Sequence, residues 1–353
     1  MRVLLTGAAG FIGAAVRSEL AERGHEVVAL DAWIPQAHGD AAPNNASTDG
    51  IEHLDVTDAD ALAPLLAGVD VVCHQAAMVG AGVTPADMPL YARHNDLGTA
   101  VLLAAMAEAG RTRLVFASSM VVYGDGRYVC AEHGDQPAPA RSLQALKDGN
   151  FDVVCTTCGQ PMGWALVDEN ARLQPRSSYA ASKLAQEHYA LAWSRQLPGA
   201  AIGLRYHNVY GPQMPADTPY SGVGAMFRSA IERGTPPRVF EDGQQMRDFV
   251  HVTDVARANA LALERVVDLP ADTYEAFNVC SGRPVSILDV ADLIVAGLRA
   301  DGLAPQVTGE FRTGDVRHIV ASPHRAKDQL GFTADVDPAA GLREFARAPL
   351  RTR

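Results

Sequence analysis

Three groups of residues in this chain have the types and spacing to do chemistry. Gly7-x-x-Gly10-x-x-Gly13 follows a short apolar run over 3–6, and a helix pattern with Ile12, Val16 and Leu20 on one face comes after it. Gly24 stands where that helix would end, residues 25–30 read as a second strand, and Asp31 closes it. Strand, glycine turn, helix, strand and acid form the fingerprint of a dinucleotide site. Glycines let the backbone approach a pyrophosphate at the helix N-terminus, and the acid accepts from ribose hydroxyls. The spacing differs from G-x-G-x-x-G, so the flanking elements carry the assignment. An acid at 31 repels a 2′-phosphate, which favours NAD over NADP. The second group is Tyr179 and Lys183, which at i and i+4 share a helix face, with Ser119 at the end of a strand. The third is Cys130-Ala-Glu-His133 and Cys155-Thr-Thr-Cys158, the ligand count and spacing of a small tetrahedral zinc site.

The elements that must position these groups alternate. Residues 69–74, 114–117 and 202–206 read as buried strands, and 95–109 and 179–193 as helices. Short apolar strands between longer helices imply a parallel sheet covered on both faces, which binds ligands at its strand ends. Residues 125–175 break that rhythm and hold the cysteine–histidine group.

Composition narrows the class further. The 353 residues make roughly two domains at ~150 each. Thirty basic against 41 acidic residues give a net charge of −11, which argues against nucleic-acid or anionic-membrane partners. Five cysteines are too few for a secreted disulfide scaffold. No apolar run approaches a membrane span, and the N-terminus runs straight into the glycine loop with no room for a signal peptide. A soluble cytoplasmic protein is expected.

The chain resembles the extended short-chain dehydrogenase/reductase family, in its nucleotide-sugar branch. The resemblance spans nearly the whole sequence. It rests on Thr6-Gly7-Ala8-Ala9-Gly10-Phe11-Ile12-Gly13, Asp55-Val56, His74-Gln75-Ala76-Ala77, Asn95, the Ser118 to Gly124 string and Tyr179-x-x-x-Lys183. It continues through Leu204 to Pro212, Arg247 to Val252 and Gly314-Asp315-Val316-Arg317. What it implies is an α/β protein with a doubly wound parallel sheet (Rossmann) and a smaller mixed α/β substrate domain. The expected division is 1–207 for NAD, with the 125–175 insertion, and 208–353 for the nucleotide sugar, the chain crossing between them. Tyr179 would be the base that takes a sugar hydroxyl proton, Ser119 would hydrogen-bond the same oxygen, and Lys183 would favour the phenolate and bind the nicotinamide ribose. Gly7, Gly10, Phe11, Ile12, Gly13, Asp31, Asp55, Val56, Gln75, Ala76, Ala77, Asn95 and Tyr206 would hold the cofactor with that pair. Asn208, Arg247 and Arg312 would meet the nucleotide diphosphate. A homodimer through two helices per subunit, one of them the Tyr–Lys helix, is expected by analogy.

Relatives that eliminate water carry Thr-Asp-Glu where this chain has Ser119-Met120-Val121, and neither Met nor Val moves a proton. That leaves oxidation, reduction, or both in turn. Retained NAD suits a 4-epimerase, which oxidises C4 and returns hydride to the opposite face. The Ser118 to Gly124 string, the cysteine-bearing insertion and residues 217–223 look like bacterial dTDP-L-rhamnose 4-epimerases, which make dTDP-6-deoxy-L-talose. UDP-glucose and UDP-glucuronate 4-epimerases stay open, as does a 4-ketoreductase or dehydrogenase. A regulator that merely binds NAD usually lacks the tyrosine or the lysine. In the insertion, Cys130, His133, Cys155 and Cys158 would hold a structural zinc, with Gln160-Pro161 and Gly163 forming the knuckle turn. Cys73 and Cys280 sit in apolar runs and read as core.

Overall fold

A computed structural model describes residues 1–38, 50–80, 84–216, 222–300 and 302–351. The stretch 217–221 of the subgroup-like segment lies outside the described residues.

The central layer is a seven-stranded sheet of β1 (Arg2–Thr6), β2 (Glu26–Asp31), β3 (Ile51–His53), β4 (Val71–His74), β5 (Arg113–Ser119), β6 (Ala200–Tyr206) and β7 (Thr273–Val279). Its order is β7-β6-β5-β4-β1-β2-β3, and every pair is parallel. The order reverses between β1 and β4, and the crevice at that switch point is where such sheets bind ligands. Side chains alternate across a strand, so Val3 and Leu5 join one core and Leu4 the other. The first core is closed by α1 (Phe11–Glu22) through Val16 and Leu20. The second is closed by α2 (Gly98–Glu108) and α3 (Ser178–Gln196), through Leu102, Met106, Ala190 and Trp193. Burying such apolar faces contributes roughly 25 cal/mol per Å².

The helix expected over 95–109 starts later than the periodicity suggests. Ala92–Leu97 form a π-helical turn, and α2 begins only at Gly98. Asn95 explains the widening, because its side chain reaches out of the turn to both backbone groups of Met78.

A smaller lobe packs the helices Val223–Glu232, Ile287–Leu298 and Pro338–Phe345 around Tyr210, Phe227, Phe249 and Phe345. After residue 208 the chain does not stay there. The helix α4 (Val252–Asp268) returns to the first core through Val255 and Leu263, and β7 completes the large sheet. The irregular 125–175 stretch contains a small antiparallel sheet of Arg127–Cys130, Gly134–Gln136 and Gly163–Ala165. Gly163 therefore begins a strand. The tight turn after Cys158 belongs to Gly159, at φ 73°, whose amide donates to the Cys155 carbonyl. Among the described residues no helix is long and apolar enough to cross a membrane.

Candidate functional site

A cleft opens at the carboxyl ends of β1, β2 and β4. Gly7, Gly10, Asp31, Asp55, Val56, Gln75, Ala76 and Ala77 line it, as the sequence leads one to expect. Two glycines have different duties there. Gly7 has φ 68°, and a Cβ would lie 2.6 Å from the Ala76 amide nitrogen. Gly13 is closed by packing alone, since its Cβ would fall 2.0 Å from the Gly7 carbonyl oxygen. Helix α1 therefore sits directly on the turn. Its N-cap is Gly10, and no side chain caps the first turn. A helix start without a cap leaves backbone donors facing the cleft, as an anion requires.

Asp31 is buried at the end of β2. Its carboxylate accepts from the Ala9 amide at 3.0 Å and the Trp33 amide at 2.9 Å, and lies 3.2 Å from His38 Nε2. Burial pushes this carboxyl upward, but His38 and the two amides outweigh it and hold it below its ordinary range. His38 and Ala37 also line the cleft. Sequence reasoning missed both, because a histidine seven residues past the acid carries no spacing signal. The glycine turn, the uncapped helix and the acidic wall fit a dinucleotide.

Not every expected cofactor residue lines that cleft. Asn95 is fully buried beneath it, accepting from the Met78 amide and donating to the Met78 carbonyl and to Ser182 Oγ. Its neighbour His94 is the one on the surface of the cleft. Tyr206 lies in a buried hydrogen-bonded group with Gln75 and Asn259, so it orients the Gln75 side chain. Phe11 packs against the core of the smaller lobe.

Ser119 and Tyr179 meet where β5 ends, and Lys183 reaches the same strand two residues earlier. The Tyr179 phenol interacts with the Ser119 side chain, and its ring lies 5.8 Å from that of Tyr91. Ser177 caps α3 by accepting from the Ala180 amide, which fixes the helix start beside the tyrosine. Farther along α3, Glu187 grips Arg205 of β6 in a buried bidentate pair at 2.7 and 2.9 Å. Tyr123 completes that anchor, accepting from Arg205 and donating to Asn278. Lys183 is 3 % exposed and donates from Nζ to the Ala117 carbonyl at 2.9 Å.

The electrostatics depart from the sequence expectation. Burial pushes the Tyr179 phenol up to about 12, and the group that pulls it down is Ser119. Lys183, expected to favour the phenolate, is itself pushed down to about 7 by burial. Both groups are desolvated, so each needs an opposite charge to ionise.

Arg247 is half-buried and donates to the Met246, Arg317 and Val316 carbonyls, at 2.9, 3.0 and 2.5 Å. Burial pulls this guanidinium below its ordinary value, and those carbonyls carry only partial charge. Asn208 donates to the Asp248 carbonyl, and exposed Arg312 lies over the Phe240 ring at 5.1 Å. His207, between Tyr206 and Asn208, is buried with no hydrogen-bond partner on either ring nitrogen among the described residues. Met120 and Val121 occupy the turn after Ser119, so the two positions next to the serine are apolar. Cys130, His133, Cys155 and Cys158 converge, with their ligand atoms all within 4.8 Å of one another. Cys73 and Cys280 are core, as their apolar settings imply.

Comparison with known proteins agrees with this geometry. The pattern of the NAD dependent epimerase/dehydratase family matches residues 3–147 and 151–280. The dTDP-L-rhamnose 4-epimerase of Burkholderia thailandensis is 34 % identical, over 98 % of this chain and 93 % of that protein. The UDP-glucose 4-epimerase of Thermotoga maritima, solved with UDP-glucose, superposes with a TM-score of 0.77 at 25 % identity, covering 98 % of this chain and 97 % of that one. A UDP-glucose 4-epimerase of Thermus thermophilus, solved with NAD, gives 0.73 at 28 % identity, covering 98 % of each chain.

Proposed function

The chain belongs to the NAD dependent epimerase/dehydratase family and is an enzyme of the NAD-dependent epimerase type, and on that premise we propose that it inverts C4 of a nucleotide sugar, converting dTDP-L-rhamnose to dTDP-6-deoxy-L-talose. The observation that carries the reaction type is the pairing of Tyr179 with Ser119 beside a turn whose next two side chains are Met120 and Val121. Tyr179 and Ser119 have the chemistry for a base and a hydroxyl holder, and Met120 and Val121 lack that of the acid and base that water elimination needs. The rhamnose substrate rests on the relative at 34 % identity.

NAD would lie along the glycine turn with its pyrophosphate at the start of α1 and its adenosine ribose against Asp31. When bound, that cofactor would supply reversible hydride transfer at C4. The protein's own part is proton handling and positioning. Tyr179 takes the proton of the C4 hydroxyl, and Ser119 holds that oxygen in line. Lys183, held on the Ala117 carbonyl, supplies the positive charge that a Tyr179 phenolate needs. After the 4-keto sugar turns over in the pocket, Tyr179 returns the proton to the oxygen on the opposite face. Proton and hydride both come back, so the reaction is a net isomerisation. Arg247 and the exposed Arg312 would take the diphosphate. Met88, Leu97 and Tyr189 are exposed apolar side chains on the helical turns before α2 and on α3, which supports a homodimer through those helices.

The test is incubation of purified protein with dTDP-L-rhamnose and no added nicotinamide, followed by mass and proton NMR. An isomer of equal mass with H4 inverted is expected, and Tyr179→Phe should keep its NAD and lose turnover by about 100-fold or more. Turnover of UDP-glucose instead would establish the second reading, which the Thermotoga maritima likeness favours. Consumption of added NADH in step with sugar would replace the epimerase with a reductase.

A further inference from the structure

The insertion has a small core of its own. Tyr128, Cys130, Val153, Cys155 and Met162 form it, with Ala138 and Cys158 at the edge, so three of its apolar contacts are cysteines. Those sulfurs do not pair with one another. Cys130 Sγ lies 3.7 Å from Cys158 Sγ, far beyond a disulfide bond of about 2.05 Å.

The spacing instead matches the edges of a metal tetrahedron. With metal–sulfur bonds of about 2.3 Å and metal–nitrogen bonds of about 2.05 Å, sulfurs stand ~3.8 Å apart and a sulfur stands ~3.6 Å from the nitrogen. Cys130 Sγ is 3.5 Å from His133 Nδ1, and Cys155 Sγ is 3.8 Å from the same nitrogen. All four ligand atoms lie within 4.8 Å of one another. The turn that presents the second pair also aims backbone donors at sulfur. The Cys158 and Thr157 amides point to Cys155, and the Gln160 amide points to Cys158. Outer hydrogen bonds of this kind orient metal-bound thiolates. Three sulfurs and one imidazole select zinc among common divalent ions, and a fourth protein ligand leaves no position open for chemistry.

The insertion does not hang free. Tyr128, two residues before Cys130, accepts from the His318 amide at 3.0 Å. Asp152, three residues before Cys155, pairs with Arg317 at 3.1 Å. Between the two pairs of ligands, Arg141 binds Glu241 at 2.8 Å and the Asp315 carbonyl at 2.7 Å. The segment these three hold, 315–318, is the one whose Val316 and Arg317 carbonyls seat the Arg247 guanidinium.

We propose that Cys130, His133, Cys155 and Cys158 bind one structural zinc ion that braces the 315–318 segment beneath Arg247. The zinc half stands apart from the proposed substrate, and the significance of the brace for substrate binding rests on the reading of Arg247 as a diphosphate contact.

Elemental analysis of the full-length protein, purified without added metal or chelator, should find about one zinc per chain. Cys158→Ser and His133→Ala should lose it, and His133→Cys, which keeps four ligands, should retain it. Zinc absent from the native protein and not taken up on titration, a different metal, or zinc kept in both ligand variants would overturn the site. Removing zinc from the native protein with a chelator and following hydrogen exchange tests the brace without any substrate. Faster exchange is expected in 127–165 and also in 315–319, reversed by zinc. A change confined to 127–165 would show that the metal holds only its own loop. Neither readout depends on turnover, so failure of the epimerase reading would be seen separately in the sugar assay.

Discussion

Replacing Lys183 by methionine should stabilise the cofactor-free protein at pH 7 and destroy its activity. The ammonium is 3 % exposed, and burial takes it from an ordinary 10.5 down to about 7. A base whose folded value is depressed binds a proton in the unfolded chain that it does not hold in the native one. Native stability attributable to Lys183 therefore rises with pH between 7 and 10.5. Integrating that linkage, the buried lysine costs about 4 kcal/mol at pH 7 and about 1 kcal/mol at pH 10. Methionine is close in length and carries no charge, so it removes this cost while leaving the Ala117 carbonyl without its donor, a loss of ~1–3 kcal/mol. The offset is the same at both pH values. The difference between variant and native protein should thus swing by about 3 kcal/mol from pH 7 to pH 10, in favour of the native protein as pH rises. Urea unfolding of nucleotide-free protein at 25 °C measures it, provided the slope with denaturant is unchanged. A difference that stays flat across that range would refute the assignment of a costly buried charge at Lys183. Turnover should be lost in the variant at either pH.

Gly13→Ala puts a Cβ 2.0 Å from the Gly7 carbonyl oxygen, in a contact between two backbones that cannot swing away. Overpacking of ~1–3 kcal/mol or more should appear as a lowered unfolding midpoint, and the displaced turn should release NAD, read by absorbance after acid extraction; full NAD content would be contrary. His74, His207 and His318 are each pushed down to about 3 by burial, so below 6.5 the unfolded chain takes protons that the native one refuses. Stability should be intact above that pH and fall by about 2 kcal/mol per histidine between pH 7 and pH 5, and a flat urea midpoint over that interval would count against the neutral burial of these rings.

The parts of this fold that the sequence made legible are those set by local repetition. Alternating apolar strands and 3.6-period helices place β1, α1, β2, β4, β5, α3 and β6 within a few residues of where they lie. The glycine triplet and the Tyr179–Lys183 spacing are legible because each needs only neighbours in the chain. What was hidden depends on contacts distant in sequence. The start of α2 at Gly98 follows from Asn95 reaching back to Met78, a partner 17 residues away. His38 beside Asp31, and the pairing of Glu187 with Arg205, are likewise settled by tertiary packing.

The same distinction explains why matching positions did not always match duties. Asn95 and Tyr206 both belong to the motifs of the cofactor half, yet both are spent on neighbouring side chains and backbone, and the surfaces of the cleft are His94 and Gln75. A motif records where a residue stands, whereas its hydrogen bonds decide whether it faces ligand or holds the group that does. Lys183 is the extreme case. Its spacing from Tyr179 is plain in the sequence, but the exclusion of water by β5 and the turns around Tyr91 is not, and that exclusion takes both groups away from the ionisation a base needs. The free enzyme therefore holds a tyrosine and a lysine that both resist charging, and an opposite charge placed beside either would ease its ionisation. The pH swing at Lys183 measures that cost of burial directly, which is why it reaches deepest into the site.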